Sequence, residues 1–544
     1  MKKILLGDEA IVQGALEAGV DFVSGYPGCP SAEIGDEFLK IAGGPKGHPG
    51  LYAEWSVNEK VALEAAIGAS FSGLKSLVNM KSFGINVCSD SLLPLVYTGT
   101  KAGMVIIVAD DPSCWSSAQS EQDSRGYAYL SHIPMLEPSD PQECRDFTKL
   151  GFELSEKFNL PVVLRITTRV AHQRMPVEFN KVDRRPQKSG EFVKNPLQFS
   201  TMPPRVLEMK KELLDKLEKI KAYAGKLKIN KIVGDPTPHN FGIVASGVAY
   251  LYVLEALKEL ALDTPILKVN LFYPLADNTI SKFIKDLKKV LVVEELEGYL
   301  EKEINAIAKD ANPKLQVFGK ALLPKIGELD VEKVCLALAK VAGKKFKKNI
   351  MKQLSLPKRT ARLCEGCPYW YVFPVIKRIA PEGTIFGGDI GCNMIAGLLP
   401  HNMQDYLFSM GASLGISHGI KKSTKQKVIS IMGDGTFFHA GIPALVNAVY
   451  NKSNPLVVIL DNRITAMTGL QQNPGMGKTG MGENTEELKI EEIAKACKVK
   501  HVKVLDPANV KEFEDAIKEF LDKEEVSVII CRRICALLAK RQKQ

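Results

Sequence analysis

Long apolar runs are missing from this chain. No window of 18 residues is both apolar and uncharged, which excludes a membrane-spanning helix and, with it, a membrane partner. The opening Met1-Lys-Lys-Ile-Leu-Leu-Gly-Asp8 turns acidic too soon to serve as a secretory signal, so a cytoplasmic protein is expected. An excess of one charge is equally scarce. The net charge is +10 over 544 residues, and the lysines lie in exposed-looking helices and along Lys181–Lys231 rather than on one basic face. This excludes a nucleic-acid footprint and leaves a solvated surface, or one that an acidic protein could dock on. Eleven cysteines in a reducing compartment are not expected to form disulfides, and a cluster of them suggests metal or redox chemistry.

What is present is material for several cores: 45% of residues are hydrophobic and 25% charged, enough for three domains. From Ile4 to Val177 helical patterns alternate with short apolar strands such as Phe22–Tyr26, Ser76–Met80 and Met104–Ala109, which predicts a parallel sheet covered on both faces across 1–178. Gly25-Tyr-Pro-Gly-Cys-Pro-Ser31 then falls in a loop at a strand end, where function tends to sit. Met80–Asp90 and Asp110–Arg125 read as polar loops, either pocket walls or plain surface. Residues 179–239 are rich in Lys, Arg and Pro with one charged helix from Arg205 to Leu227, and read as a linker. A smaller α/β unit follows over 240–343, with Glu294-Glu295 after its last strand read as structural or interface carboxylates in preference to an acid/base pair. A basic linker, 344–362, leads to a last domain at 363–544.

That last domain holds the most informative stretch. Val428–Met432 and Leu456–Leu460 read as buried parallel strands around a helix from Ala440 to Tyr450, so their carboxyl ends carry Asp434 and Asp461-Asn462 side by side. A carboxylate, an amide oxygen and a bare carbonyl are the hard oxygens that Mg²⁺ needs beside a diphosphate, and Gly433 and Gly435 allow close approach of the backbone. A lone Gly-Asp-Gly occurs in many turns. With Asn462 placed 29 positions after Gly433 in strand–helix–strand context, it is the pattern of thiamine diphosphate enzymes. Met410-Gly411, just upstream, is placed either against a cofactor or in close helix packing. Cys364-Glu-Gly-Cys367 alone could be a zinc half-site, a redox pair or two packed thiols. Cys392 follows 28 positions after Cys364, and Cys531 and Cys535 come near the end; a strand reading of Val528–Arg533 puts these last two on one face and does not separate them.

The text GDGTFFHAGIPALVNAVYNKSNPLVVILDNRITAMTG, with Gly25–Ser31, Glu54-Trp-Ser-Val-Asn-Glu-Lys-Val-Ala62 and Cys364–Pro368, resembles the large subunit of indolepyruvate:ferredoxin oxidoreductase, in the 2-oxoacid:ferredoxin oxidoreductase superfamily. The likeness runs over nearly the whole chain. It implies two doubly wound α/β domains that bind thiamine diphosphate, a pyrimidine type (1–178) and a diphosphate type (363–544), with a transketolase C-terminal-like domain between. It implies that Glu59 hydrogen-bonds the pyrimidine N1′, although a carboxylate at a helix start is also ordinary helix stabilisation. It implies Mg²⁺ on Asp434, Asn462 and the carbonyl of Ile464, and cofactor contacts from Gly433, Gly435, Met410, Gly411 and Thr468. Cys364, Cys367, Cys392 and Cys535, the last preferred to Cys531, would hold a [4Fe–4S] cluster. The implied reaction is oxidative decarboxylation of an arylpyruvate to an acyl-CoA, with electrons passed to a ferredoxin, by a homodimerising chain paired with a smaller subunit.

Two departures fall in the pocket: Cys29, a candidate catalytic residue beside Glu59, stands where relatives usually carry Thr, and the Cys114-Trp115 pair is usually absent. A third is that the family's large subunit continues into a ferredoxin-like module with two runs of C-x₂-C-x₂-C-x₃-C-P. None occurs in this sequence, so electrons are expected to leave for another polypeptide. A non-oxidative thiamine-dependent lyase that releases an aldehyde is the alternative. A non-catalytic assembly subunit is a further one, against which the presence of Asp434, Asn462 and Glu59 argues.

Overall fold

Three stretches that read as unbroken apolar runs, Val428–Gly433, Leu456–Asp461 and Ser527–Arg532, are buried along almost their whole length. A parallel sheet covered on both faces demands this. In the computed structural model, which describes all residues except 45–46, 183–185, 187, 228, 235–239, 348–359 and 544, the chain divides into two units, Met1–Gln353 and Leu354–Gln544.

In the second unit these strands form a five-stranded parallel sheet in the order Ile385–Gly387, Val428–Gly433, Leu456–Asp461, Ser527–Arg532, His501–Leu505. The period of two along each strand sends neighbours to opposite cores. Ile429, Ile431, Leu456, Val458, Leu460, Ile529 and Cys531 meet the helices Tyr369–Ile379 and Val510–Leu521. Met432, Val457, Ile459, Val528 and Ile530 meet Ala412–Ser423, Ile442–Tyr450 and Ile490–Ala496. The helix expected from Ala440 begins earlier, at Asp434, and passes through a π-helical turn at Phe437–Gly441 before running on to Tyr450. Such wide turns concentrate at functional sites.

The first unit contains a seven-stranded sheet in the order Leu271–Tyr273, Met135–Leu136, Val162–Thr167, Met104–Asp110, Ser76–Lys81, Phe22–Gly25, Tyr52–Trp55. Only the first of these runs antiparallel to its neighbour. A five-stranded sheet lies in the order Gln316–Phe318, Lys289–Val293, Phe241–Ser246, Ile266–Val269, Lys231–Val233. Parts of the segment read as a surface linker are therefore structural. Lys231–Val233 is an edge strand, and the helix Arg205–Leu227 buries Met209, Leu213, Leu217, Ile220 and Ala224 at the spacing of one helical stripe. Most of the basic linker expected at 344–362 lies outside the described residues.

These two larger sheets of the unit are joined by buried charge. Arg125 donates to Glu294 Oε2 at 2.7 Å, Asp123 Oδ2 at 2.7 Å and the carbonyls of Glu295 and Glu297 at 2.5 and 3.0 Å. Arg165 donates to Asp110 Oδ2 at 2.6 Å and Glu137 Oε1 at 2.8 Å. Glu294 also accepts the amides of Leu300 and Glu301, so it is a structural carboxylate, and it lies inside the molecule and not on its surface.

Candidate active site

Two adjacent strand ends of the Leu354–Gln544 unit bring Asp434 and Asn462 together, because Gly433 and Leu460 are paired in register. Asp434 is buried; Oδ1 accepts the Gly435 amide at 2.7 Å and Oδ2 the Ile464 amide at 3.1 Å. Burial, reinforced by nearby Asp461, pushes its carboxyl up to about 7. Asn462 Oδ1 accepts the same Ile464 amide at 3.2 Å, while Nδ2 donates to the hydroxyl of Tyr369 at 3.0 Å. A Cβ built on Gly433 would meet only Asn393 Oδ1, at 4.0 Å, whereas one on Gly435 would collide with Thr465 Oγ1 at 2.8 Å. The residues thus fit a divalent cation and a diphosphate: a buried carboxylate beside a second one, whose ionisation a cation would restore, an amide oxygen fixed in direction, and an open cradle over a glycine.

Asp389, which no sequence pattern singled out, organises the other wall. Its carboxylate accepts the amides of Gly411, at 3.0 and 3.1 Å, and of Ser413 at 3.1 Å. Gly411 stands at φ +83, and a Cβ there would strike Ala440, so no side chain is tolerated after Met410. Thr468 lies in the loop beyond Ile464 with its hydroxyl committed to Gln471 Oε1 at 2.6 Å. Nothing in the sequence marked Tyr369.

The cysteines separate cleanly. Burial, followed by the charges of Cys367, Cys535, Cys364 and Asp434, raises the Cys392 thiol to about 12. Burial, with Cys364 and Cys535 nearby, raises Cys367 to about 11, so these four side chains lie within electrostatic reach of one another. Cys531 does not join them. The strand stops at Arg532, leaving Cys531 buried in the sheet's core, after which the chain crosses over so that the Cys535 amide donates to the carbonyl of Asn462 at 3.0 Å. The expectation that Cys531 and Cys535 share a face is therefore corrected: it assumed a strand three residues too long. Burial, followed by the charges of Asp434, Cys392, Cys367 and Cys535, raises the Tyr369 hydroxyl well above its usual range, so this buried ring lies within electrostatic reach of both Asp434 and the thiols. A single zinc ion draws four sulfurs to about 3.8 Å of one another. Among the described residues, no three of these cysteines meet within 4.8 Å.

In the first unit Glu59 opens the helix Glu59–Phe71, whose start is fixed by Asn58 accepting the Val61 amide at 2.9 Å. Glu59 is buried, and Gly84 is pressed against it: a Cβ on Gly84 would lie 2.6 Å from Glu59 Cγ. Met80–Asp90, expected as a loop, is instead the end of a strand and the start of the helix Ser82–Thr98. Its polar residues resemble a loop, but Ile85, Cys88, Leu92, Leu95 and Val96 recur at helical spacing and are buried. Cys29 is half-buried, its thiol raised by burial and by Glu33 against the opposing Lys81. Lys81 is buried and donates to the Ser116 carbonyl at 2.9 Å; Ser116 Oγ donates to the Cys29 carbonyl at 3.3 Å. The Asp110–Arg125 segment thus covers the Cys29 loop through Ser116, while its Trp115 is exposed and donates to Glu328 at 3.3 Å.

Three family descriptions match in succession: "Pyruvate flavodoxin/ferredoxin oxidoreductase, thiamine diP-bdg" over residues 13–217, "Indolepyruvate oxidoreductase domain" over 230–364, and "Thiamine pyrophosphate enzyme, C-terminal TPP binding domain" over 389–531. The indolepyruvate oxidoreductase subunit IorA of Methanothermobacter marburgensis is 43% identical over 98% of this chain and 87% of its own length. Those of Pyrococcus horikoshii and Archaeoglobus fulgidus are 40% and 39% identical, over 98% and 100% of this chain and 86% and 88% of their own. Among solved structures, 2-oxoglutarate:ferredoxin oxidoreductase from Magnetococcus marinus, with 2-oxoglutarate, coenzyme A and succinyl-CoA bound, shares the fold at TM-score 0.51 and 18% identity, over 62% of this chain and 65% of that one. The chain belongs to the IorA subunit family of the indolepyruvate oxidoreductases.

Proposed function

We propose that this chain is the catalytic subunit of a thiamine-diphosphate-dependent 2-oxoacid oxidoreductase. It would act on an arylpyruvate such as indolepyruvate, form an acyl-CoA, and pass electrons through a [4Fe–4S] cluster to a ferredoxin or a smaller partner subunit. The observation that carries this reading is Tyr369, which accepts from Asn462 and lies within electrostatic reach of Asp434 and of Cys392, Cys367 and Cys535. A cofactor cradle with thiols beside it suits chemistry that removes electrons.

Asp434 and Asn462, with the carbonyl of Ile464, would hold Mg²⁺, and the open face of Gly433 would admit the diphosphate. Glu59 would hold a proton at the pyrimidine N1′, with Gly84 leaving the room that its side chain occupies. Bound thiamine diphosphate supplies the nucleophilic carbon on which a 2-oxoacid loses CO₂, and a four-iron cluster on Cys364, Cys367, Cys392 and Cys535 would supply a one-electron acceptor. Cys29, Lys81 and Ser116 lie at the strand ends nearest Glu59 and would shape the substrate pocket.

Anaerobically purified protein should carry about four irons with matching acid-labile sulfide, lost in Cys392→Ala. It should reduce a viologen dye only when indolepyruvate and coenzyme A are both present. Zinc in place of iron, or an aldehyde formed with no dye reduction, would overturn the proposal in favour of a non-oxidative lyase.

A further inference from the structure

Asp8 is fully buried, and neither of its carboxylate oxygens has a hydrogen-bond partner among the described residues. It is the second residue of the helix Gly7–Ala18, whose open N-terminus is capped instead by Glu9, the acceptor for the Leu6 amide at 2.8 Å. Helix capping therefore does not explain it. Burial, followed by the charges of Glu33 and Glu9, pushes its carboxyl well above the ordinary range. A buried carboxylate in such a place needs either a proton or a cation.

The surroundings supply a ligand set. Asp8, Glu33 and His172 each offer one ligand atom, all within 4.8 Å of one another, and His172 Nε2 lies 3.9 Å from Glu33 Oε1. The three come from separate segments: Asp8 from the first turn of Gly7–Ala18, Glu33 from the first turn of Ala32–Ala42, and His172 from the end of Thr168–His172. Asp8 is held firmly. The Gly7 amide donates to the Gln173 carbonyl at 3.2 Å, and a Cβ on Gly7 would fall 2.0 Å from the Val170 carbonyl oxygen, so the helix start is wedged against the segment that carries His172. Glu33 and His172 are exposed at their side chains, by 48% and 44%, which gives an ion a way in and lets both rotate by the angstrom or so that coordination requires.

We propose that Asp8, Glu33 and His172 form a binding site for a divalent transition-metal ion of the zinc class, separate from the Asp434 cradle and the cysteines. Two carboxylates and one imidazole suit such an ion, with water completing the coordination. The ion ties the start of Gly7–Ala18 to the start of Ala32–Ala42, the helix that directly follows the Gly25–Ser31 loop. It therefore acts as a clamp on the element that presents Cys29.

The test compares metal content at equilibrium. Anaerobic holoenzyme is dialysed against micromolar Zn²⁺ alongside Asp8→Asn, which keeps the shape of a buried side chain, and His172→Ala, which changes an exposed one. Metal is then measured by mass spectrometry and thermal unfolding is followed with and without zinc. Each variant is expected to bind one zinc fewer per chain than the parent, and zinc is expected to raise the melting temperature of the parent alone. The comparison is independent of what occupies the other sites, because those are common to all three proteins. Equal zinc content in the three would overturn the proposal and leave Asp8 as a permanently protonated acid.

Discussion

Replacing Tyr369 with Phe removes one oxygen atom from the place where the cation cradle meets the cysteines. That oxygen accepts from Asn462 Nδ2 at 3.0 Å, and both residues are buried. Without it the amide N–H loses its acceptor in a site that water does not reach, at a cost of about 1–3 kcal/mol. The side chain can escape only by turning over. It would then carry its NH₂ group toward the Ile464 amide and take Oδ1 out of the cation position. Loss of a group that orients a metal ligand typically weakens binding by about 10- to 100-fold, and that is the expected fall in Mn²⁺ affinity, read by electron paramagnetic resonance in the presence of thiamine diphosphate. The ring itself is unchanged, so the packing of Tyr369 against Phe373, with ring centroids 5.8 Å apart, should survive, and the apoprotein should still fold, its melting temperature lowered only by the cost of the one lost hydrogen bond. Manganese affinity equal to that of the wild type would refute the idea that Tyr369 sets the direction of Asn462.

Gly84→Ala should place a methyl group 2.6 Å from Glu59 Cγ and 2.8 Å from Met80 Cβ. Overpacking of this kind costs about 1–3 kcal/mol, and exchange of the thiazolium C2 proton, followed by NMR, should slow because Glu59 is displaced. Cys535→Ser should lose iron with little change in folding, whereas Cys531→Ser, in the core, should lower the melting temperature and keep its iron; the opposite pattern would reverse the assignment. Burial raises the Glu295 carboxyl from an ordinary 4.5 to about 7. The fold therefore holds a proton that the unfolded chain has released, and stability drains away as pH climbs between those values. A shift of that size corresponds to about 3 kcal/mol. Glu295→Gln, which can still accept the Leu329 amide, should stabilise the protein by up to that amount above neutral pH and by nothing under strongly acidic conditions, as measured by denaturant unfolding.

The parts that the sequence made legible share one property: their signal is local. Buried strands such as Leu456–Asp461 announce themselves by composition, and Asp434 and Asn462 by spacing along adjacent strands that must pair. Glu59 was legible as a helix start, and Asn58 confirms that start. The misreadings arose where a non-local contact overrides local appearance. Polar Ser82–Asp90 is helical because its sparse apolar residues face a core, and Gly84 is there because a carboxylate from another helix occupies the space a side chain would need. Cys535 was inseparable from Cys531 until the end of the strand was known, since a shift of a few residues decides which thiol turns into the core. Tyr369 and Asp389 act on residues more than 20 positions away, and no pattern in one sequence encodes that reach.

The ionic network around Arg125 has a bearing on how the first unit can move. Water would solvate Arg125, Arg165 and their carboxylates readily if the two sheets came apart, so the network is weak as an adhesive. Its effect is on alignment. A small lateral slip of one sheet along the other would leave a guanidinium buried with no acceptor, at about 3–5 kcal/mol for each broken pair, whereas full docking satisfies Glu294 and the Glu295 and Glu297 carbonyls at once. The interface therefore works like a dowel: seated or withdrawn, with no stable position between. Asp110 and Asp123 are members of the same network and bracket the segment that covers Cys29, so the placing of that segment is indexed to the docking of the second sheet.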